Sequence, residues 1–212
     1  FALAVSGAVK GKTSDIGIPL NAGARLYIVP CIAGHVGADA AAATLSEGPD
    51  RQDDMMLLVD VGTNAEIVLG NRQRTVACSS PTGPAFEGAE ISSGQRAAPG
   101  AIEQWSDEEG FTESAAKTGI TGICGSAIIE VVAEMFLSGI ISEDGVIDGG
   151  IAARSPRILE NGRTFSYLLH DGAQRITVTQ NDVRAIQLAK AALYAGIKLL
   201  MEKLDVTHVD EI

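Results

Sequence analysis

Two apolar runs separated by a short polar turn form the clearest pattern in the chain. They lie in the segment LLVDVGTNAEIVLG, residues 57–70. Short apolar runs bounded by small polar residues predict two antiparallel strands joined by a tight turn. Asn71 and a further strand-like run at residues 72–78 extend the pattern, which therefore predicts a meander of three short strands.

The tip of this predicted hairpin has side chains that suit phosphate and a metal ion. Asp60 provides a carboxylate that can orient magnesium-bound water, and Gly62 lets a ligand approach the backbone closely. The N–H groups of the turn and the hydroxyl of Thr63 can donate to phosphate oxygens, and Asn64 adds an amide. An ordinary hairpin with a polar tip fits the same residues, so this stretch alone leaves both interpretations open.

The region ahead of the hairpin predicts one strand and one helix. RLYIVPC, residues 25–31, has the composition of a strand, and AGHVGADAAAATL, residues 33–45, that of a helix that opens through glycines. His35 and Asp39 would lie one helical turn apart. The pair could bind a metal or move protons, but two ligands make no site, and a capping or surface role is the preferred interpretation.

The region after the meander predicts a short helix whose N-terminus could face an anion. It lies in CSSPTGPAFEGAEISSG, residues 78–94, and the helix is predicted over AFEGAEI, residues 85–91. Pro84 suits the first turn of a helix, where a missing N–H costs little. The free N–H groups there favour negative charge. Glu87 could accept hydrogen bonds from ribose hydroxyls, or it could simply be a solvated residue on an exposed face.

A glycine-rich segment, TGITGICGS at residues 118–126, precedes a strongly amphipathic helix predicted at residues 127–138. A loop of this kind is weak evidence for phosphate binding, and packing of the helix against a sheet is the stronger prediction. The apolar face of this helix comprises Ile128, Val131, Val132, Met135 and Phe136.

The last third of the chain predicts a hairpin and a long helix. The hairpin pairs residues 165–169 with residues 175–178, and the helix begins at Thr179 or Asn181 and ends near Lys203. The residues predicted to face inward are Leu188, Ala192, Ala195 and Leu199.

Composition limits the classes of partner. The formal net charge is −11 and the sequence pI is about 4.6, so nucleic-acid backbones and anionic membranes are poor partners because both need a basic surface. No apolar run reaches the roughly 18 residues of a membrane span. The cysteines are widely spaced and predict no disulfide framework, which favours a reducing, cytoplasmic location. They are Cys31, Cys78 and Cys124.

Several chemistries fit the pattern poorly. There is no G-x-S-x-G elbow, and the cysteines and histidines do not cluster at zinc-ligand spacing. A dinucleotide-binding fold would place its glycines between a first strand and a helix, whereas here they lie inside an antiparallel hairpin. A hairpin, a third strand, a helix and further α/β elements follow the order of ribonuclease-H-like folds, in which a nucleotide lies over the hairpin tips.

Four segments carry a resemblance to one family. They are LLVDVGTNAEIVLG, ACSSPTGPAFEGAEISSGQRAAPGAIE, GICGSAIIEVVAEMFLSGII and TQNDVRAIQLAKAALYAGIKLL, with VPCIAGHVGADAAAATL upstream. Together they resemble the C-terminal ATPase region of reductive activators of corrinoid proteins. That family belongs to the ASKHA superfamily of acetate and sugar kinases, heat-shock chaperones and actin. The resemblance implies an α/β, ribonuclease-H-like lobe with α+β insertions, and covers the chain from about Tyr27 onward.

The resemblance implies ATP and Mg²⁺ as ligands and a conformational mechanism. Family members couple ATP binding or hydrolysis to one-electron reduction of cobalt(II) corrinoid to cobalt(I). By this resemblance, Asp60 would orient the magnesium-bound or attacking water. Gly62, Thr63 and Asn64 would hold the phosphates. The partner would be a corrinoid protein or a corrinoid-dependent methyltransferase. The oligomeric state is left open, with a homodimer as one possibility.

Further site residues follow from the same resemblance. Thr82, Gly83 and Glu87 would lie near the ribose and base, and Gly122 and Gly125 are additional pocket residues. A two-iron two-sulfur cluster is expected only in a separate N-terminal domain, because this sequence has three cysteines and no four-cysteine site.

The predicted organisation is the end of a preceding lobe or connecting segment over residues 1–55 and an ATPase lobe over residues 56–212. The chain starts without methionine, and the pattern predicts that a strand begins at residues 206–212, so we expect a piece of a longer protein that is inactive alone. Two other functions stay open. One is a nucleotide-sensing or corrinoid-protein-docking module without turnover, and the other is a small-molecule kinase of the same superfamily.

Overall fold

The computed structural model describes residues 3–106, 110–111, 119–153 and 155–212. The chain divides into two compact units. The first unit comprises Phe1–Asp60, Ala65–Ser80 and Tyr194–Ile212, and the second comprises Val61–Asn64 and Pro81–Leu193.

The first unit begins with a two-stranded hairpin and a helix. β1 (Val9–Lys12) pairs antiparallel with β2 (Arg25–Ile28), which confirms the predicted strand over these residues. α1 (Ala38–Glu47) starts later than predicted, because Ala33 and Val36 form a β bridge ahead of it.

The pair of His35 and Asp39 does not share a helical face, since His35 precedes α1. Asp39 Oδ1 accepts a hydrogen bond from the N–H of Ala40 at 2.8 Å. The N-cap of α1 is Gly37 and receives no side-chain capping hydrogen bond, whereas Asp39 is exposed in the first turn of the helix. The surface interpretation of Asp39 is therefore confirmed and the capping interpretation is not. Among the described residues, no group of three or more His, Cys, Asp or Glu side chains could hold a metal ion.

The predicted meander is present in the first unit. β3 (Met56–Val61), β4 (Ala65–Gly70) and β5 (Thr75–Ser80) form an antiparallel sheet in that order. Ile67 and Leu69 on β4 are fully buried. Gly196, near the end of the chain, lies close to this sheet, because a Cβ there would stand 2.6 Å from Ile67 Cδ1. The predicted final strand is reduced to one parallel bridge between Met56 and Glu211.

The second unit contains short strands, one complete helix and a second sheet. β6 (Ala101–Ile102) pairs parallel with β9 (Gly122–Ile123), and β7 (Trp105–Ser106) pairs antiparallel with β8 (Gly110–Phe111). α2 (Gly125–Leu137) follows, and then β10 (Ile158–Asn161), β11 (Thr164–Asp171) and β12 (Arg175–Thr179) form an antiparallel sheet. α3 (Gln180–Leu204) ends the order of elements.

The predicted hairpin of residues 165–169 and 175–178 is confirmed by β11 and β12, whereas β10 was not predicted. The predicted α2 is confirmed and starts at Gly125, with Ile128, Val131 and Met135 buried. Phe136 was assigned to the same face, but it is 49% exposed.

The helix predicted over AFEGAEI is wrong in length. The structure has a single 3₁₀ turn, Pro84–Glu87, which Gly88 ends with a φ of +78°. A left-handed residue stops helical hydrogen bonding, and glycine adopts it without strain.

α3 starts where the sequence predicts. Thr179 caps it, because the Asp182 N–H donates to Thr179 Oγ1 at 3.2 Å and the Thr179 N–H donates to Asp182 Oδ2 at 2.7 Å. The predicted inward face is wrong at Leu188 and Leu199, which are 72% and 64% exposed, and at Ala195, which is also exposed. These leucines share a helical stripe, so periodicity alone could not exclude them. The buried residues of α3 include Val183, Ile186, Ala189 and Leu200.

Buried side chains of the second unit form one apolar core. They come from α2, β9, the β10–β12 sheet and the start of α3, and include Ile123, Ile128, Leu169, Ile176 and Val183. No helix in the described part of the chain has both the length and the apolar character that crossing a membrane requires.

Candidate functional site

The turn that joins β3 to β4 is the centre of the candidate site. The Gly62 N–H donates to the carbonyl oxygen of Asn64 at 3.1 Å. The φ angle of Gly62 is not in the positive range that favours glycine. A Cβ there would stand 3.4 Å from both Asn64 O and Glu87 Oε1, which are ordinary contact distances. Neither backbone strain nor packing requires glycine at this position, and the approach of a ligand to this backbone stays a prediction.

Thr82 and Gly83 hold the carbonyl groups of this turn. Thr82 Oγ1 donates to Gly62 O at 2.7 Å and lies 3.1 Å from Thr63 O. The Gly83 N–H donates to Thr63 O at 2.9 Å. Thr82 is 6% exposed, so this hydroxyl is satisfied inside the protein. The two residues therefore fix the shape of the turn, and their predicted position near a ribose and base stays a prediction.

Glu87 occupies the donors of Thr63. Glu87 Oε1 accepts from the Thr63 N–H at 2.9 Å and from Thr63 Oγ1 at 2.8 Å. Both residues are exposed. The two groups predicted to donate to phosphate thus already bind an anionic oxygen. Among the described residues, the side-chain amide of Asn64 makes no hydrogen bond and remains available.

Close packing against backbone requires glycine at Gly125, whereas Gly122 faces only the flexible side chain of Gln95. A Cβ at Gly125 would stand 1.6 Å from the carbonyl oxygen of Phe86, and one at Gly122 would stand 2.6 Å from Gln95 Oε1. Gly125 is the first residue of α2, so its lack of a side chain lets the helix start against the turn that contains Glu87. Gly125 thus shapes the neighbourhood of Glu87, and the predicted contact of both glycines with a ligand stays a prediction.

A depression of about 330 Å³ lies beside Glu87, between the 3₁₀ turn and the start of α2. Arg96 and Ser126 contribute to its lining, and Ser126 Oγ donates to Glu103 O at 2.8 Å. Sequence reasoning did not identify Arg96, although it is a cation inside a glycine-rich stretch of an acidic chain. The lining residues are Phe86, Glu87, Arg96, Ala97, Cys124, Gly125 and Ser126.

Asp60 belongs to the first unit and precedes the turn in sequence. It is exposed near the end of β3, and its carboxylate has no hydrogen bond or ion pair within the described part of the chain. Mg²⁺ usually binds one or two protein carboxylates, with waters and substrate phosphates completing its coordination. A single free carboxylate fits that mode of binding and does not fit an all-protein metal cage.

A thiol in the first unit has a shifted pKa. Burial raises the pKa of Cys78 on β5, and the positive charge of Lys203 acts in the opposite direction. A raised pKa reduces the thiolate fraction, so this cysteine is suited to packing and not to nucleophilic chemistry.

Comparison with known proteins adds three similarities. Residues 54–212 match the model of a family described as the C-terminal domain of RACo, the ASKHA domain. The corrinoid activation enzyme RamQ of Eubacterium limosum is 37% identical over 215 residues, covering 96% of this chain and 36% of RamQ. A Methanosarcina barkeri protein named [Co(II) methylated amine-specific corrinoid protein] reductase is 42% identical over 78 residues, covering 37% of this chain and 14% of that protein.

A solved structure agrees with these similarities. It is a reductive activator for corrinoid, iron-sulfur protein, which matches with a TM-score of 0.78 and 31% identity, covering 97% of this chain and 34% of that chain. This chain spans about a third of the length of RamQ and of the solved activator. The α/β, ribonuclease-H-like fold class predicted from the sequence is therefore confirmed, and the chain belongs to the family of RACo C-terminal ASKHA domains.

Proposed function

We propose that this chain is the nucleotide-binding part of an ATP-dependent reductive activator of a corrinoid protein. The matched relatives are named for corrinoid activation and for corrinoid-protein reduction. The observation that favours nucleotide binding is the pair of hydrogen bonds from Thr63 to the carboxylate of Glu87, because they show that the turn can hold an anionic oxygen. A phosphate of ATP offers the same kind of acceptor.

The proposed roles follow from this geometry. The N–H and hydroxyl of Thr63 would donate to a phosphate, and the free amide of Asn64 would add a donor. Gly62 would leave room for the phosphate close to the backbone. Thr82 and Gly83 would hold the turn in shape while their other sides face the ribose and base. Gly122 and Gly125 would form part of the wall of the nucleotide pocket.

Asp60 would orient either the attacking water or a water bound to magnesium. Bound Mg²⁺ would neutralise negative charge on the phosphates. No other group would compete for this carboxylate, since among the described residues it makes no hydrogen bond or ion pair. The proposed site is incomplete as described, because one carboxylate and one turn surround only part of a nucleotide. We therefore expect this chain alone to bind ATP weakly and to be inactive.

The reaction of the whole protein would be one-electron reduction of cobalt(II) corrinoid to cobalt(I). The corrinoid protein is the substrate, and the electron would come from a two-iron two-sulfur cluster in a separate domain. Closure around ATP would either favour reduction or drive release of the activated partner. We further propose that residues 56–212 form the ATPase lobe, that residues 1–55 connect it to a preceding lobe, and that the protein acts in the cytoplasm.

The test is Mg-ATP binding and ATP hydrolysis by the whole protein, with and without its corrinoid protein. We expect saturable Mg-ATP binding and hydrolysis that the corrinoid protein accelerates. Saturable binding without any hydrolysis would favour the docking-module function. Absence of Mg-ATP binding at millimolar concentration would contradict the proposed nucleotide site.

A further inference from the structure

The backbone that carries Glu87 is held firmly, while its side chain is exposed. Ala85, two residues earlier, is 1% exposed, and the Gly88 N–H donates to Ala85 O at 3.0 Å. The position of a Cβ at Gly125 lies 3.3 Å from Glu87 Cα, so α2 packs directly against this turn. The backbone therefore fixes the origin of the side chain, and the exposed carboxylate can turn into solvent once its two hydrogen bonds from Thr63 are broken.

A phosphate and the Glu87 carboxylate need the same donors. Both hydrogen bonds from Thr63 end on one oxygen, Glu87 Oε1. That oxygen also stands 3.4 Å from the position of a Cβ at Gly62, above the backbone that a phosphate would approach. Two anions at one set of donors repel each other, so a phosphate oxygen can bind Thr63 only after the carboxylate has turned away.

We propose that Glu87 is a specificity-determining residue that competes with phosphate for Thr63. An inorganic polyphosphate displaces the carboxylate into water and offers it no new hydrogen bond in place of those from Thr63. A nucleoside triphosphate also displaces it, but its ribose hydroxyls offer the carboxylate new hydrogen-bond partners. Glu87 thereby discriminates against polyphosphates that lack a nucleoside. This inference rests on the proposed nucleotide function and adds to it the selectivity of the site.

The experiment measures the dissociation constants of Mg-ATP and Mg-tripolyphosphate by calorimetry on the whole protein. The variants are Glu87→Ala and the matched control Glu90→Ala. Glu90 is an exposed acid on the same segment, and in the described part of the chain it makes no hydrogen bond or ion pair. Both variants remove one negative charge, so their comparison separates a specific contact from the general effect of charge.

We expect Glu87→Ala to tighten tripolyphosphate binding by about tenfold relative to Glu90→Ala, the scale of a charge-assisted hydrogen bond at an exposed group. ATP binding should tighten less or weaken, because the ribose contact is lost. Equal effects of the two variants on tripolyphosphate, or weaker binding in Glu87→Ala, would overturn the inference. The inference would also be overturned if none of the variants bound tripolyphosphate while the wild type bound ATP.

A wild-type protein that binds no Mg-ATP would contradict the proposed function, and the inference with it. The outcomes above contradict the inference alone. Glu87→Gln provides a second variant that keeps the shape of the side chain. It should fall between wild type and Glu87→Ala for tripolyphosphate, since a neutral amide oxygen accepts the Thr63 bonds more weakly. Binding of tripolyphosphate by Glu87→Gln no tighter than by wild type would contradict the competition.

Discussion

Gly125 and Phe86 are so close that a Cβ on Gly125 would stand 1.6 Å from the carbonyl oxygen of Phe86 and 2.6 Å from its carbonyl carbon. The obstructing atoms are backbone, so no side-chain rotation can relieve the clash. This contact places the N-terminus of α2 against the turn that presents Glu87.

Gly125→Ala is expected to lower the free energy of unfolding by about 2–4 kcal/mol, because an overpacked backbone contact must move apart. Urea denaturation of the whole protein, followed by circular dichroism, measures this. Gly23→Ala is the control, since a Cβ there would stand 3.5 Å from Asn21 Oδ1, an ordinary contact. Equal stability of the two variants would contradict the packing argument.

Gly62→Ala is expected to show the opposite behaviour. Its free energy of unfolding should stay within about 0.5 kcal/mol of wild type, because the added methyl makes only ordinary contacts. The affinity for Mg-ATP should fall by about tenfold, since the methyl occupies the space that the phosphate needs. Calorimetric titration measures the affinity. Unchanged affinity with unchanged stability would remove Gly62 from the proposed site.

Asp182 is expected to be a strong contributor to stability. It is 1% exposed, and it accepts from the N–H of Ser92 at 2.8 Å and from Ser92 Oγ at 3.0 Å as well as capping α3. Asp182→Ala should cost about 3–5 kcal/mol, because the three hydrogen bonds that this buried carboxylate accepts are lost together. Asp171→Ala is the control, since its ion pair with Arg175 is exposed and should contribute under about 1 kcal/mol. Chemical denaturation that ranks the two equally would disprove this assignment.

Cys78 gives a prediction about pH. Burial raises its pKa above the ordinary value of 9.0 in the folded state, so the folded protein prefers the neutral thiol. The unfolded chain ionises first as the pH rises, and this contribution to stability is therefore full below pH 9.0 and lost as the pH rises through the folded pKa. The loss of stability should be smaller in Cys78→Ala than in wild type. Denaturation series between neutral and alkaline pH measure the difference, and parallel curves would contradict it.

The local patterns that predict the fold are those set by neighbouring residues. The short apolar runs on either side of the Gly62 turn were sufficient for the meander, and the spacing of Ile128, Val131 and Met135 was sufficient for α2. Leu188 and Leu199 were misassigned because an alanine-rich helix offers more than one apolar stripe. Only packing against the remainder of each unit selects the stripe that becomes buried.

The candidate site shows the same limit. Sequence resemblance identified Thr63 and Glu87, but assigned them to different parts of a nucleotide, and their contact requires two segments 24 residues apart to meet. Thr82 could not be identified as the residue that holds the turn, because its acceptors are backbone carbonyls that carry no sequence signal. Gly125 was predicted as a pocket residue from the resemblance, but its packing against the Phe86 backbone could not be predicted, because it joins segments distant in the sequence.

Corrinoid-protein-stimulated ATP hydrolysis by the Asp60→Asn variant of the whole protein tests the central claim most directly. Asparagine keeps the size of the side chain and removes the charge that would orient water. We expect hydrolysis to fall by about a hundredfold or more while circular dichroism and urea denaturation stay unchanged. Asp54→Asn, at an exposed acid that makes no hydrogen bond or ion pair among the described residues, should retain wild-type hydrolysis. Wild-type hydrolysis in Asp60→Asn would contradict the account.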